Sequence, residues 1–205
     1  MNYRVDHIPK SKNRRPGTAL KPQFLTIHST GNPSSTAKNE RAWLTNPSND
    51  RTASWHIVVD QNEAIEAIPL TEVAYHAGTA AGNSKSISIE ICESGNREKT
   101  LVHAAEVTAS TLKKYGWGVD KLRRHFDWSG KICPRILSAN NWAGWNQFKK
   151  EVEKKLTDLK KIEVDIRGKK AEGMMVDGVA YVPIRAVAEK LGARVLYKDG
   201  KVYVE

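Results

Sequence analysis

Ser86-Ile87-Ser88-Ile89-Glu90-Ile91-Cys92 decides the fold. Ile87, Ile89 and Ile91 alternate with Ser88, Glu90 and Cys92, so an extended chain puts three branched apolar side chains on one face and Glu90 on the other. Working outward, FLTIHS (24–29) is a second short apolar strand, and WHIVVD (55–60) and AIEAIPL (64–70) are two more around a turn at Gln61–Glu63. Between these strands, Ser35-Thr36 followed by Glu40 resembles a capping box, opening a helix that carries Trp43 and Leu44. Residues 98–115 place Leu101, Ala104, Ala105, Thr108 and Leu112 on one helical stripe, ended by Gly116. In 141–159, Trp142, Trp145, Phe148, Val152, Leu156 and Leu159 recur at helical spacing, with Lys and Glu on the opposite side. Strands alternating with helices predict an α/β fold, a mixed central β-sheet flanked by helices.

After Lys160-Lys161 the pattern changes. IEVDI, MMVDGVAYVPI and ARVLYKDGKVYVE read as strands, Asp199-Gly200 as a hairpin turn, and IRAVAEKLG as a two-turn helix closed by Gly192. Two domains are expected, 1–158 and a small α+β module over 159–205. The 205 residues hold 33 Lys+Arg against 23 Asp+Glu, a net charge of +10. Of this, residues 1–160 carry 24 against 16, or +8, and 161–205 carry 9 against 7, or +2. Such a charge predicts an anionic partner: nucleic acid, an acidic surface or a polyanionic cell wall. No apolar run of membrane-spanning length occurs, and the basic N-terminus lacks the apolar stretch of a secretory signal. The two cysteines, Cys92 and Cys133, sit in different contexts and predict no disulfide framework.

Three side chains suit a zinc ion: His28 at the end of an early strand, and His125 and Cys133 eight residues apart in HFDWSGKICP, a segment rich enough in Gly and Pro to fold back on itself. Zinc takes imidazole nitrogen and thiolate sulfur, and a catalytic site keeps one position open. By spacing alone, a buried cysteine beside two structural histidines is the simpler reading.

The surrounding words add to this. FLTIHSTGN, SWHIVVDQNEAIEAIPLTEVAYHAG, NSKSISIEICES and RRHFDWSGKICPRIL follow one another over about residues 22–148. In order and spacing they resemble the type 2 N-acetylmuramoyl-L-alanine amidases, a family that includes phage endolysins, bacterial autolysins and peptidoglycan recognition proteins; the phrasing is most similar to Bacillus-type phage amidases. The resemblance implies a zinc hydrolase that cuts the amide between the lactyl group of N-acetylmuramic acid and L-alanine in peptidoglycan. It implies His28, His125 and Cys133 as zinc ligands, Glu90 as the general base and acid, and Lys131 as a cation for the developing oxyanion. Trp55 stands where several relatives have a tyrosine and offers no phenolic hydroxyl, which leaves Glu90 with more of the proton transfer. His76, in YHAG, matches a groove position, and Trp128 is expected to pave the same groove. The tail, from Gly178 to Arg185, resembles the small stalk-type module named after the copper amine oxidase N-terminal domain, here without His or Cys. It suggests wall attachment, with packing or dimerisation as the alternative. The family and the missing signal imply synthesis in the cytoplasm and action at the cell wall.

Other residues read more plainly. His56 alternates within a strand and is structural; Cys92 is a small core residue; His103 is solvated helix surface; residues 10–17 form a mobile basic arm; Trp142, Trp145 and Phe148 are core. A non-catalytic peptidoglycan-binding module is the alternative function, and a nucleic-acid-binding protein finds charge but no recognition motif.

Overall fold

A computed structural model describes residues 2–157, 160–176 and 179–205. The chain forms two compact units, residues 1–156 and 157–205. The first is built on six strands, β1 (Asn2–Val5), β2 (Phe24–Ser29), β3 (Ile57–Val59), β4 (Glu63–Glu66), β5 (Ser86–Ile91) and β6 (Leu122–Arg124), in the order β1-β4-β3-β5-β2-β6. Each neighbouring pair is parallel except β3 with β4, so the sheet is mixed as expected. The helices of this unit are α1 (Ala37–Trp43), α2 (Ala80–Lys85), α3 (Arg97–Lys114), α4 (Phe126–Ser129) and α5 (Ala139–Thr157).

β5 lies at the centre, and its alternation divides the molecule. Ile87, Ile89 and Ile91 are fully buried in one core with Leu25, Ile27 and Ile57, beneath Ala104, Ala105 and Leu112 of α3 and Trp145, Phe148 and Val152 of α5. Burial of each isoleucine contributes roughly 1.5–3 kcal/mol. The other face is buried too. Cys92 joins a second core with Leu44, Trp55, Val58 and Ile65, while Ser86 and Ser88 bond Thr26 and His56.

Several local expectations change. Thr36 caps α1, its hydroxyl accepting from Asn39 N, but Glu40 lies one residue too far along for a capping box and is instead buried. The segment after His125 forms a single helical turn, α4, because Asp127 accepts the Arg124 N–H and guanidinium and fixes the chain there. The basic arm is fastened: Arg15 makes a two-pronged ion pair with Glu72 and donates to the Ile8 carbonyl. β1 before it extends the sheet beside β4. His103 is half-buried, its Nδ1 3.1 Å from the Asp60 carbonyl. In α5, Asn140, Asn141 and Trp142 have φ of 49°, 50° and 66°, so the regular right-handed helix begins after Trp142, whose ring lies under the Arg124 guanidinium at 4.3 Å. Leu159 and Gly178 lie outside the described residues.

The second unit holds the sheet β7 (Lys160–Ile166), β8 (Lys169–Val176) and β9 (Val179–Tyr181), the helix α6 (Ile184–Lys190), and the hairpin β10 (Val195–Lys198) with β11 (Lys201–Val204). Asp199 and Gly200 both take positive φ, as a two-residue hairpin turn requires. Among the described residues, no helix is long and apolar enough to cross a membrane.

Candidate active site

His28 and Glu90 are register partners on the parallel strands β2 and β5, so their side chains rise side by side from one face of the sheet. His125 follows the edge strand β6, and its backbone N–H bonds the Ile27 carbonyl. Cys133 is brought back by the turn of α4, where Phe126 N donates to the Cys133 carbonyl; the Cys133–Pro134 peptide is cis. One carboxylate ties the loops down. Glu93 accepts from Gly31 N and from the Arg135 guanidinium, and Arg135 N donates to Ser29 Oγ.

The three residues singled out as ligands converge. His28 Nδ1 is 3.1 Å from His125 Nδ1 and 3.8 Å from Cys133 Sγ, and one ligand atom from each of the three lies within 4.8 Å of the others. Glu90 Oε1 is 3.9 Å from His28 Nδ1, and Glu90 Oε2 is buried without a partner. All four line a cavity of about 430 Å³ with Arg51, Tyr75, Trp55 and Lys131.

His76 sets the proton on His28. Its Nε2 lies 3.1 Å from the Ser86 carbonyl, which can only accept, so Nε2 carries the hydrogen and Nδ1 is left as an acceptor. His28 Nε2, 3.1 Å from that Nδ1, must then donate, leaving His28 Nδ1 as a bare lone pair toward His125 and Cys133. Both nitrogens of His76 are thus engaged behind His28, while its ring also lines the cavity.

The electrostatics suit a cation. Burial, then the neighbouring His76 and His125, holds His28 well below the usual imidazole range. Burial and Lys131 bring His125 down to about 4, so both rings are neutral donors of electron pairs. Burial raises the Cys133 thiol to about 12, helped by Glu90. Burial raises Glu90 to about 8, with Glu40 adding to the shift and Lys131 opposing it. Two neutral imidazoles and a sulfur, buried beside the orphaned carboxylate oxygen of Glu90, form a donor set that fits zinc.

The other expected residues separate. Trp55 lines the cavity, 9% exposed, with its Nε1 unpartnered. Lys131 is exposed at the rim. Trp128 Nε1 donates to Thr26 Oγ1 at 2.9 Å, and its ring packs edge-on to Phe24. His56 is structural, its Nδ1 accepting from Ser88 N and its Nε2 donating to the Glu72 carbonyl. Arg51, Tyr75 and the Glu93–Arg135 pair were missed, since each reaches the site through a loop with no periodic signal.

The family description N-acetylmuramoyl-L-alanine amidase matches residues 18–136. The chain is 40% identical over 146 residues to the N-acetylmuramoyl-L-alanine amidase XlyB of Bacillus subtilis, covering 67% of this chain and 44% of that protein. It is 40% identical over 148 residues to CwlA of the same species, covering 68% and 52%. The solved catalytic domain of XlyA superposes with a TM-score of 0.68 at 35% identity, covering 74% of this chain and 99% of that domain. The chain therefore spans about half the length of the curated relatives it matches. Matched over more than half its residues by the family and over nearly all of a solved catalytic domain, this chain belongs to the N-acetylmuramoyl-L-alanine amidase family.

Proposed function

We propose that this chain is a zinc-dependent peptidoglycan hydrolase, an endolysin or autolysin acting at the cell wall, which cleaves the amide between N-acetylmuramic acid and L-alanine. The observation that carries this reading is the convergence of His28 Nδ1, His125 Nδ1 and Cys133 Sγ beside the orphaned Glu90 Oε2. These three residues would hold zinc, which when bound acts as a Lewis acid toward the amide carbonyl and lowers the pKa of water.

The protein's own groups handle the protons and the charge. Hydrolysis requires water to lose a proton as it attacks the carbonyl carbon, and the amide nitrogen to gain one as the C–N bond breaks. In its ionised form Glu90, with Oε2 unpartnered in the cavity, takes the first proton and returns it to the leaving nitrogen; such transfer contributes typically ~10²–10⁴-fold. β5 holds that carboxylate in one place because its neighbours Ile89 and Ile91 are locked in the core. Lys131, on the rim, offers positive charge to the oxyanion. Trp55 and Tyr75 wall the cavity and keep bulk water from the reacting amide.

The test is digestion of purified Gram-positive walls followed by mass spectrometry, with metal analysis of the same protein. A new free L-alanine amino terminus and about one zinc per chain are expected, both lost in Cys133→Ala. Zinc-free, non-lytic protein that still sediments with walls would instead identify a binding module.

A further inference from the structure

The hairpin of β10 and β11 stands as a sheet of two strands, with no third strand on either side among the described residues. A lone hairpin is marginal in water, and a bare strand edge is a template for another strand. β11 is apolar on both faces. Val202 and Val204 point one way and Tyr203 the other, and all three are 44–51% exposed.

The hydrogen bonds of the hairpin fix which groups its edge offers. Glu205 continues the ladder and exchanges both backbone bonds with Arg194, at 2.6 and 2.9 Å. Bonded and non-bonded pairs alternate in an antiparallel ladder, so Tyr203 with Leu196 and Lys201 with Lys198 are bonded pairs too. The N–H and C=O of Val202 and Val204 therefore point away from β10, along the open edge.

An identical strand satisfies these groups. Run antiparallel and centred on Tyr203, Val202 of one copy lies opposite Val204 of the other, and each such pair exchanges two backbone bonds. The same register sets Lys201 of each copy opposite Glu205 of the other. Lys201-Val202-Tyr203-Val204-Glu205 is thus complementary to itself in charge, in side-chain size and in the parity of its bonds. Within one chain, neither Lys201 nor Glu205 has an ion-pair partner among the described residues, and Lys201 is set opposite Lys198. The other edge lacks this match. By the same parity β10 would pair with itself around Leu196 and set Arg194 opposite Lys198, like charge against like. Pairing through β11 alone closes about a two-fold axis and does not run on into a fibre.

We propose that two copies of this chain join edge to edge along β11, forming one antiparallel sheet in the order β10-β11-β11-β10 with Tyr203 at the two-fold axis. Leu196 and Tyr203 of both copies then make a continuous apolar row across one face, which the hairpin alone is too narrow to provide. The assembly carries the first unit twice, so binding of one copy to a polymer raises the effective concentration of the other.

Sedimentation equilibrium of the full chain tests the pairing. Wild type is expected to pass from monomer to dimer, and no further, through the micromolar range. Lys201→Glu sets a carboxylate opposite Glu205 of the other copy but relieves the contact with Lys198 in its own hairpin, so a weaker dimer would not reflect a weaker fold. Its dissociation constant should rise about tenfold, and Lys201→Glu combined with Glu205→Lys should recover most of that loss. Mild oxidation locates the axis. A non-bonded antiparallel pair brings its Cα atoms to about 4.5 Å, so Tyr203→Cys should give a covalent dimer. Leu196→Cys, three strand spacings or about 14 Å from its own copy, should not. Cys92 and Cys133 are buried and leave the readout clear. A chain that stays monomeric, an assembly larger than two, a double swap no better than the single one, or a crosslink through Leu196→Cys in place of Tyr203→Cys overturns the proposal.

Discussion

His56 shows how a single buried side chain sets a pH limit. Its Nδ1 accepts the Ser88 N–H at 3.0 Å, so a proton added there would face another donor. Burial brings its pKa from 6.5 down to about 4 in the folded chain. Between those two values the unfolded chain binds the proton and the folded chain does not. The contribution to stability is therefore whole above about pH 6.5 and is lost as pH falls toward 4, on the order of 3 kcal/mol at 1.36 kcal/mol per unit. Urea unfolding across this window should show the advantage of wild type over His56→Gln shrinking by about that amount; a constant difference would refute the assignment. His76 acts on a neighbour instead of on stability. Because it fixes the His28 proton on Nε2, His76→Ala should weaken zinc binding about 10–100-fold in a chelator competition, the usual loss when the partner behind a ligand is removed. Unchanged affinity would show that His28 orients itself.

At the scale of elements, α2 packs closely against Ala77 and against Trp128 of α4. A Cβ on Gly82 would lie 2.3 Å from Ala77 Cβ and 3.0 Å from the Trp128 ring. Trp128 in turn donates to Thr26 Oγ1, Thr26 Oγ1 to Ser86 Oγ, and Ser86 Oγ to the Gly82 carbonyl. Gly82→Ala must push this chain of bonds apart, and a loss of about 1–3 kcal/mol is expected. Denaturant unfolding followed by tryptophan fluorescence should show a lowered midpoint with unchanged slope. The same elements show what sequence makes legible. The period-2 alternation of 86–92 and the helical stripe of 98–115 announce β5 and α3 because each buries one face, and burial leaves a periodic trace. His28, His125 and Cys133 were legible through motif words more than through spacing. What escaped depends on partners far along the chain. β1 pairs with β4 across some sixty residues, and Trp128 faces Thr26 across about a hundred. Glu40 looked like a capping residue because its burial beneath a cavity leaves no local mark.

At the scale of the whole molecule, apolar exposure rather than charge distinguishes the second unit. Residues 1–160 carry +8 and residues 161–205 carry +2, close to the same charge for their length. The second unit exposes apolar side chains, among them Tyr181, Ile184, Tyr197 and Val202 at 51–72%. The two hydrophobic core clusters found among the described residues lie within residues 1–156, so the first unit carries its own core. If the exposed apolar side chains of the second unit dock on the wall, they add a force that salt does not screen, and salt tells it apart from charge. The Debye length falls from about 10 Å at 0.1 M to about 3 Å at 1 M, which screens attraction of the basic unit to wall anions but not apolar docking. Residues 1–158 prepared without the tail should therefore sediment with purified walls at low salt and be released at about 1 M. The full chain should stay partly bound in the same buffer. Equal release of the two would assign all wall attraction to the catalytic unit and leave the tail a packing role.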